Sequence, residues 1–256
     1  MGYRLPPIPE SKLAPVTQKL AFAAVGVVIV AVLAVRSGKV EPLPGVAAVT
    51  GGVVLATAAI AVGLVALLEI WRRGSAGLGR TVWSMLVAGL VLAYPAVLAS
   101  RALRLPVMND ISTNLDDPPV FSSTRAVVAA REGWIPPEIE RGRRAAQERA
   151  YPFLRTIVLE NEPEEAFQLV AKAVRTLKWR VIEEVRPDDR RGIGRIEAIE
   201  ESRLMRFRDD ITIRFRSTGS ETRIDVRSAS RIGRHDLGAN AARIQRLVQE
   251  INNPGD

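Results

Sequence analysis

The chain has 256 residues, 47% hydrophobic and 25% charged, with a formal net charge of +8 and no cysteine. The lack of cysteine excludes a disulfide framework and a thiolate metal site. The averages hide a split: nearly all the hydrophobicity lies before Ala102 and nearly all the acid after it, which predicts a membrane part followed by one soluble domain with its own core.

Three apolar runs come first: about 20–35, 46–68 and 81–99. A spanning helix needs about 20 apolar residues. The second and third runs meet that length. The first is shorter, but Lys19 and Arg36 flank it and can snorkel to the interfaces. A cleaved signal peptide would have a similar apolar stretch. The long proline-rich segment before it favours an uncleaved anchor. No run contains a charge, so none reads as an ion path. Ala48, Gly52 and Ala56 recur four apart in the second run. Such a stripe lets helices approach closely, between the spans or between two copies in a homodimer.

Orientation follows from Lys and Arg near the spans. Arg4, Lys12 and Lys19 precede the first, and Arg72, Arg73 and Arg80 sit between the second and third. That bias predicts a multi-pass protein of a bacterial inner membrane, with a cytoplasmic N-terminus and a periplasmic C-terminal domain.

Residues 1–104 thus form a membrane domain. Residues 105–152 are broken by proline clusters and read as a proline-rich linker. Within it, Asp110, Asn114, Asp116 and Asp117 offer oxygens, but their spacing matches no EF-hand loop, and capping or solvation accounts for them. Residues 137–150 read as a short helix weakened by Gly142.

The expected extracytoplasmic domain, 153–256, opens with a strand over 155–159. A helix follows over 161–178, with Asn161 as cap, Pro163 in the first turn and Glu164 in a capping-box-like pair. Ala166, Phe167, Val170, Val174 and Leu177 line one face. Strands are predicted from Trp179, Gly192, Asp210 and Glu221, with turns at "RPDDRRG" and "STGS" between them. A last helix runs over 238–252, burying Ile244, Leu247, Val248 and Ile251. The order β-α-β-β-β-β-α predicts an α+β domain with an antiparallel sheet and both helices on one face. By analogy it is helix-grip-like, a class that often holds a ligand between sheet and helix.

Alternation places Ile211, Ile213, Phe215, Ile224 and Val226 on one sheet face. Thr212, Arg214, Arg216, Arg223, Asp225 and Arg227 fall on the other. That arginine-rich face is either solvated with weak cross-strand pairs or an anion site for lipid head groups or an acidic partner. No aromatic interleaving suggests nucleic acid.

The stretches "RFRDDITIRF", "DVRSASRIGRHDLGANAARI" and "DISTNLDDPPVF" carry a family resemblance. Together they resemble the bacterial family known as domain of unknown function 1499, over about 105–251. The matched positions are Asp209, Asp210, Arg227, Ser228, Ser230, Arg231, Gly233, Asp236, Gly238, Asn240, Arg243 and Ile244. At Leu204 and Met205 this chain departs from an aromatic pair common in the family. Several members also carry membrane spans, so the resemblance implies a membrane-anchored domain. It brings no activity with it.

Three uses of these residues compete. In the structural one, Asp236 caps the last helix, and Arg231 and Arg243 pair with Asp209, Asp210 or Asp236. Ser228, Ser230 and Asn240 then tie the loop to itself. In the binding one, Arg227, Arg231 and Arg243 converge on an external anion. In the catalytic one, His235 acts as base to Ser228 or Ser230. Nothing like a nucleophile elbow accompanies the last, and one histidine without cysteine makes a poor metal site. The sequence therefore points to a binding or scaffolding module of the cell envelope, with no catalysis, metal or cofactor. Membrane lipids and an envelope protein or a second copy are its expected partners.

Overall fold

A computed structural model describes residues 9–139, 141–187, 193–219 and 221–253. The chain divides into two compact units. One comprises residues 1–100 with 203–206, the other 101–202 with 207–256.

The first unit holds three helices, α1 (Leu13–Arg36), α2 (Pro42–Arg73) and α3 (Leu78–Arg104). Each is long and apolar enough to cross a membrane, with mean hydropathy of 2.3, 2.5 and 2.0. The chain is a multi-pass membrane protein by that measure. The helices outrun the apolar runs because neighbouring residues also suit a helix: Pro42 fits the first turn of α2, and Gly74 ends it in the left-handed region. Pro95 lies inside α3. The small-residue stripe is used within the chain. Gly52 and Ala56 are buried, and a Cβ on Gly52 would come within 2.5 Å of Val28 on α1. Only Ala48 of the three stays exposed, which removes Gly52 and Ala56 from any surface between copies.

The second unit is built on an antiparallel sheet. Its strands are β1 (Asp110–Ser112), β2 (Ile157–Leu159), β3 (Arg180–Val185), β4 (Ile193–Glu201), β5 (Arg208–Thr218) and β6 (Glu221–Ser230). The order is β1-β6-β5-β4-β3, and β2 pairs with β6 beyond β1. Strand β6 is therefore the hub: β5 holds one edge, while β1 and β2 share the other. The short helices α4 (Arg125–Ala130) and α5 (Arg144–Ala150) precede β2, with a 3-10 turn at Arg141–Arg143. Helices α6 (Pro163–Thr176) and α7 (Ala239–Asn252) complete the domain.

The expected α+β class and strand order hold. Phe167, Val170 and Val174 of α6 and Ile244, Leu247 and Ile251 of α7 are buried with Ile196, Ile211, Ile213, Phe215, Ile224 and Val226 of the sheet. Phe167 and Phe215 meet at a centroid distance of 5.2 Å. Each such side chain contributes about 1.5–3 kcal/mol through burial. Val248 is only half-buried.

The predicted linker is a correction. Residues 105–152 belong to the domain: β1 pairs with residues 227–229 of β6, and Met108, Ile111, Phe121, Val127 and Arg131 are buried. Prolines set an irregular path here without setting it free. The Asn161 cap is also corrected. Glu162 occupies the cap position, no side chain bonds the free amides there, and Asn161 Nδ2 instead donates to Glu165 Oε2 at 3.3 Å. The predicted turns at 186–192 and 217–220 lie partly outside the described residues, as does the start of a strand at Gly192.

Candidate functional site

The paired aspartates of β5 show how the sequence builds the site. Successive strand residues point to opposite faces. Asp209 therefore lies on the helix side and Asp210 on the other, and both are buried.

On the helix side, Arg243 of α7 reaches down to Asp209 and Glu200, donating from Nη2 and Nε respectively. Its Nη1 donates to Ser228 Oγ at 3.0 Å and Asn240 Oδ1 at 2.5 Å. Ser228 Oγ donates to Asn240 Oδ1 at 2.7 Å. Asn240 Nδ2 donates to Ser230 Oγ at 2.9 Å and to the Asn109 carbonyl at 3.1 Å. Asp236 accepts the backbone N–H groups of Gly238 and Asn240, at 2.9 and 3.0 Å. It caps the entry to α7 from two residues ahead of the formal cap, Gly238, whose positive φ sets the turn. Asp236 makes no ion pair with Arg231 or Arg243, which use Asp210 and Asp209 instead.

On the opposite face lies a second network. Arg131, from the loop after α4, is wholly buried. It donates from Nε to Asp210 Oδ1 at 3.0 Å, from Nη1 to the Ser122 carbonyl at 3.2 Å, and from Nη2 to Glu197. Arg231 grips Asp210 with both Nε and Nη2, at 2.7 and 3.0 Å. Arg227 holds Asp110 in the same two-pronged way, at 3.0 and 2.7 Å. The guanidinium groups of Arg131 and Arg227 both lie within 5 Å of the Phe121 ring centre, and Arg231 lies 5.7 Å from that of Trp134. Such cation–ring contacts strengthen when desolvated.

Further along this face, Asp225 accepts from Arg214 at 2.8 Å, Arg216 at 2.7 Å and Thr156 at 2.7 Å. This arginine-rich face, read from the sequence as either solvated or an anion site, is packed against the 117–137 segment, and Thr212, Asp225 and Arg227 are buried there.

The electrostatics differ from place to place. Burial pushes the carboxyls of Glu197, Asp209 and Asp110 above the usual range, against the pull of Arg131, Arg243 and Arg227. Burial also acts on Asp225, but Thr156, Arg214 and Arg216 outweigh it and hold that carboxyl below its usual value. These directions mark a dense ion-pair network, which perturbs acids whether or not they act on a ligand.

All nine predicted site residues find partners, but in two networks on opposite sides of the sheet. His235 stands apart. Its Nδ1 accepts the Leu237 backbone N–H at 3.1 Å, and its Nε2 is buried without a partner among the described residues. The oxygens of a calcium loop are engaged otherwise: Asp110 with Arg227, Asp116 with Arg144, Asp117 with Arg216, and Asn114 Oδ1 with the amides of residues 116 and 117.

Sequence reasoning missed Arg131, Glu197, Glu200 and Phe121. One signal was present: Glu197 interrupts the apolar alternation of "GRIEAIEE", and an acid inside a buried strand demands a cation.

Residues 110–251 match the family described as "Protein of unknown function (DUF1499)". The match covers more than half of the chain, and the chain belongs to that family. None of the curated proteins compared with it matches.

Proposed function

We propose that this DUF1499 member is a non-catalytic envelope protein, whose three spans display a binding or scaffolding domain outside the cytoplasm. The observation behind this reading is the commitment of the motif. Its arginines, serines and acids are spent on one another. Ser228 Oγ is held by Asn240 and Arg243, and Ser230 Oγ accepts from Asn240. Neither is bonded to His235, whose Nδ1 already accepts a backbone amide. A nucleophile needs a base within hydrogen-bond reach, and that pairing does not occur.

The buried networks suit a different task. They fix α7 and the 113–139 segment to opposite faces of one sheet, giving a rigid body for other molecules to meet. Membrane lipids and an envelope protein are the partners we assign to it. The orientation rests on Arg72, Arg73 and Arg80, which cluster around the short connection between α2 and α3.

Reporter fusions test the topology. A reporter active only in the periplasm should work when fused after residue 256 and fail when inserted at Ser75. The reverse pattern would put the domain in the cytoplasm and overturn this reading.

A further inference from the structure

Strands β1 and β2 share one edge of β6 but do not meet. β1 pairs with residues 227–229 and β2 with residues 222–224. Thr113 bridges the gap, its N–H donating to the Val226 carbonyl at 2.9 Å and its Oγ1 accepting from the Val226 N–H at 2.8 Å. Beyond Thr113 the chain turns away, and a cleft of about 580 Å³ opens between it and the Tyr151–Thr156 segment. That size lies within the usual range for small-ligand sites, roughly 300–1,000 Å³.

The charges in this cleft differ from those of the two networks. Arg227, Arg231 and Arg243 are all held by carboxylates. Arg155 and Arg223 both line the cleft and are exposed, and neither has a carboxylate partner among the described residues. Among the described residues the Arg155 guanidinium makes one bond, from Nε to the Pro152 carbonyl at 3.2 Å. On the acid side, Asp116 is paired with Arg144 at 2.8 Å. Glu148 is exposed and unpaired among the described residues. The cleft therefore offers two open guanidinium groups and one open carboxylate.

Two guanidinium groups are the usual recognition set for a phosphate. A lone carboxylate beside them complements an ammonium group. We infer that this cleft binds a phosphoethanolamine-type lipid head group, with Arg155 and Arg223 on the phosphate and Glu148 on the amine.

The lipid source follows from what the cleft wall is attached to. Leu105 directly follows the last residue of α3, and its N–H still donates to the Arg101 carbonyl at 2.9 Å. Its side chain lies 2.9 Å from the position a Cβ would take on Gly238, and the Tyr151 hydroxyl lies 3.6 Å from the same point. Tyr151 in turn packs edge-on against Phe153, 6.2 Å between ring centres. Phe153 is 56% exposed and is flanked by the lining residues Pro152 and Leu154. An exposed aromatic ring beside a phosphate site, on a wall packed against the residue that directly follows a membrane-spanning helix, fits a lipid better than a free ion. The site does not depend on which side of the membrane the domain occupies.

The test uses the full chain in dodecyl maltoside micelles, titrated with glycerophosphoethanolamine, glycerophosphocholine or inorganic phosphate and followed by calorimetry. Glycerophosphoethanolamine should bind most tightly. Arg155→Gln with Arg223→Gln should weaken it at least tenfold without changing the melting temperature, since both side chains are exposed. Glu148→Gln should erase the preference over glycerophosphocholine. No binding of glycerophosphoethanolamine, or equal binding by the double variant, would overturn the site. Equal binding of inorganic phosphate, unchanged by Glu148→Gln, would overturn the lipid assignment and leave a simple anion site.

Discussion

Arg131 and Asp210 stand 79 residues apart in the chain, yet their side chains meet at 3.0 Å with neither exposed to water. The pair ties the proline-rich segment to the middle of the sheet. An ion pair in such a place gives little net stability over an apolar substitute, but breaking it leaves an uncompensated buried charge. The segment that carries Arg131 is therefore needed wherever the sheet is.

The first consequence concerns the boundaries of the folding unit. A fragment of residues 151–256 keeps Asp210, Glu197 and Arg227 but lacks Arg131 and Asp110. It should be insoluble, or lack a cooperative thermal transition by circular dichroism. A fragment of residues 105–256 should melt cooperatively. Cooperative melting of the shorter fragment would refute the assignment of residues 105–150 to the domain.

Substitutions at Arg131 test the energetics directly. Arg131→Met should destabilise the domain by about 3–5 kcal/mol, because Glu197 and Asp210 lose a buried partner. Arg231→Gln should act in the same direction with a smaller effect, since Asp210 keeps Arg131. Adding Glu197→Gln to Arg131→Met should restore part of the loss. Denaturant titration measures all of these, and additive losses in the double variant would contradict the coupling.

At the start of α7, Asp236→Ala removes the acceptor for two backbone amides and should cost about 0.5–2 kcal/mol. His235→Ala should cost far less, since it removes one acceptor on a half-buried loop. Equal losses from the two would show that the loop is not held by its carboxylate.

The acids predict an uneven response to pH. Asp225 has a lowered carboxyl pKa in the fold. Its stabilising effect is complete above the unfolded value, about 4, and is lost as pH falls through the lower folded value. Asp110, Glu197 and Asp209 have raised values. They bind protons more tightly folded than unfolded, so acidification through their folded values down to about pH 4 favours the fold. The melting temperature should not fall between pH 7 and about pH 5, and should drop below about pH 4. Asp225→Asn should melt lower than wild type at pH 7, with the difference shrinking toward pH 3. A steady loss from pH 7 downward would contradict these assignments.

Much of this was legible in the sequence, for identifiable reasons. The spans announced themselves by length and hydropathy. The strands of the hub announced themselves by alternation, which also separated Ile211, Ile213 and Phe215 from Arg214 and Arg216. The paired aspartates and the arginines after them were recognisable as a polar set. Their division between two faces follows from strand geometry once β5 is placed. What sequence could not reveal was the partner of a charge when that partner is distant. Arg131 sits beside an acid in the sequence, Glu132, which pairs with Arg208 instead, and Asp110 looked like a loop residue because prolines surround it. Proline clusters report an irregular backbone path, and here an irregular path is packed as firmly as a strand.

The hub position of β6 also sets an order of events during synthesis. Among the described residues, strands β1 and β2 have no partner other than β6, which is made after all the other strands. Residues 105–139 emerge first in this domain; Arg131 then waits 79 residues for Asp210, and Asp110 waits 117 residues for Arg227. Contacts of such long separation are slow to form, and the domain can close only after β6 has been made. Truncation a few residues before Ser230 would thus cost far more than one strand end: it would leave the earliest-made part of the domain without the surface it was made to cover.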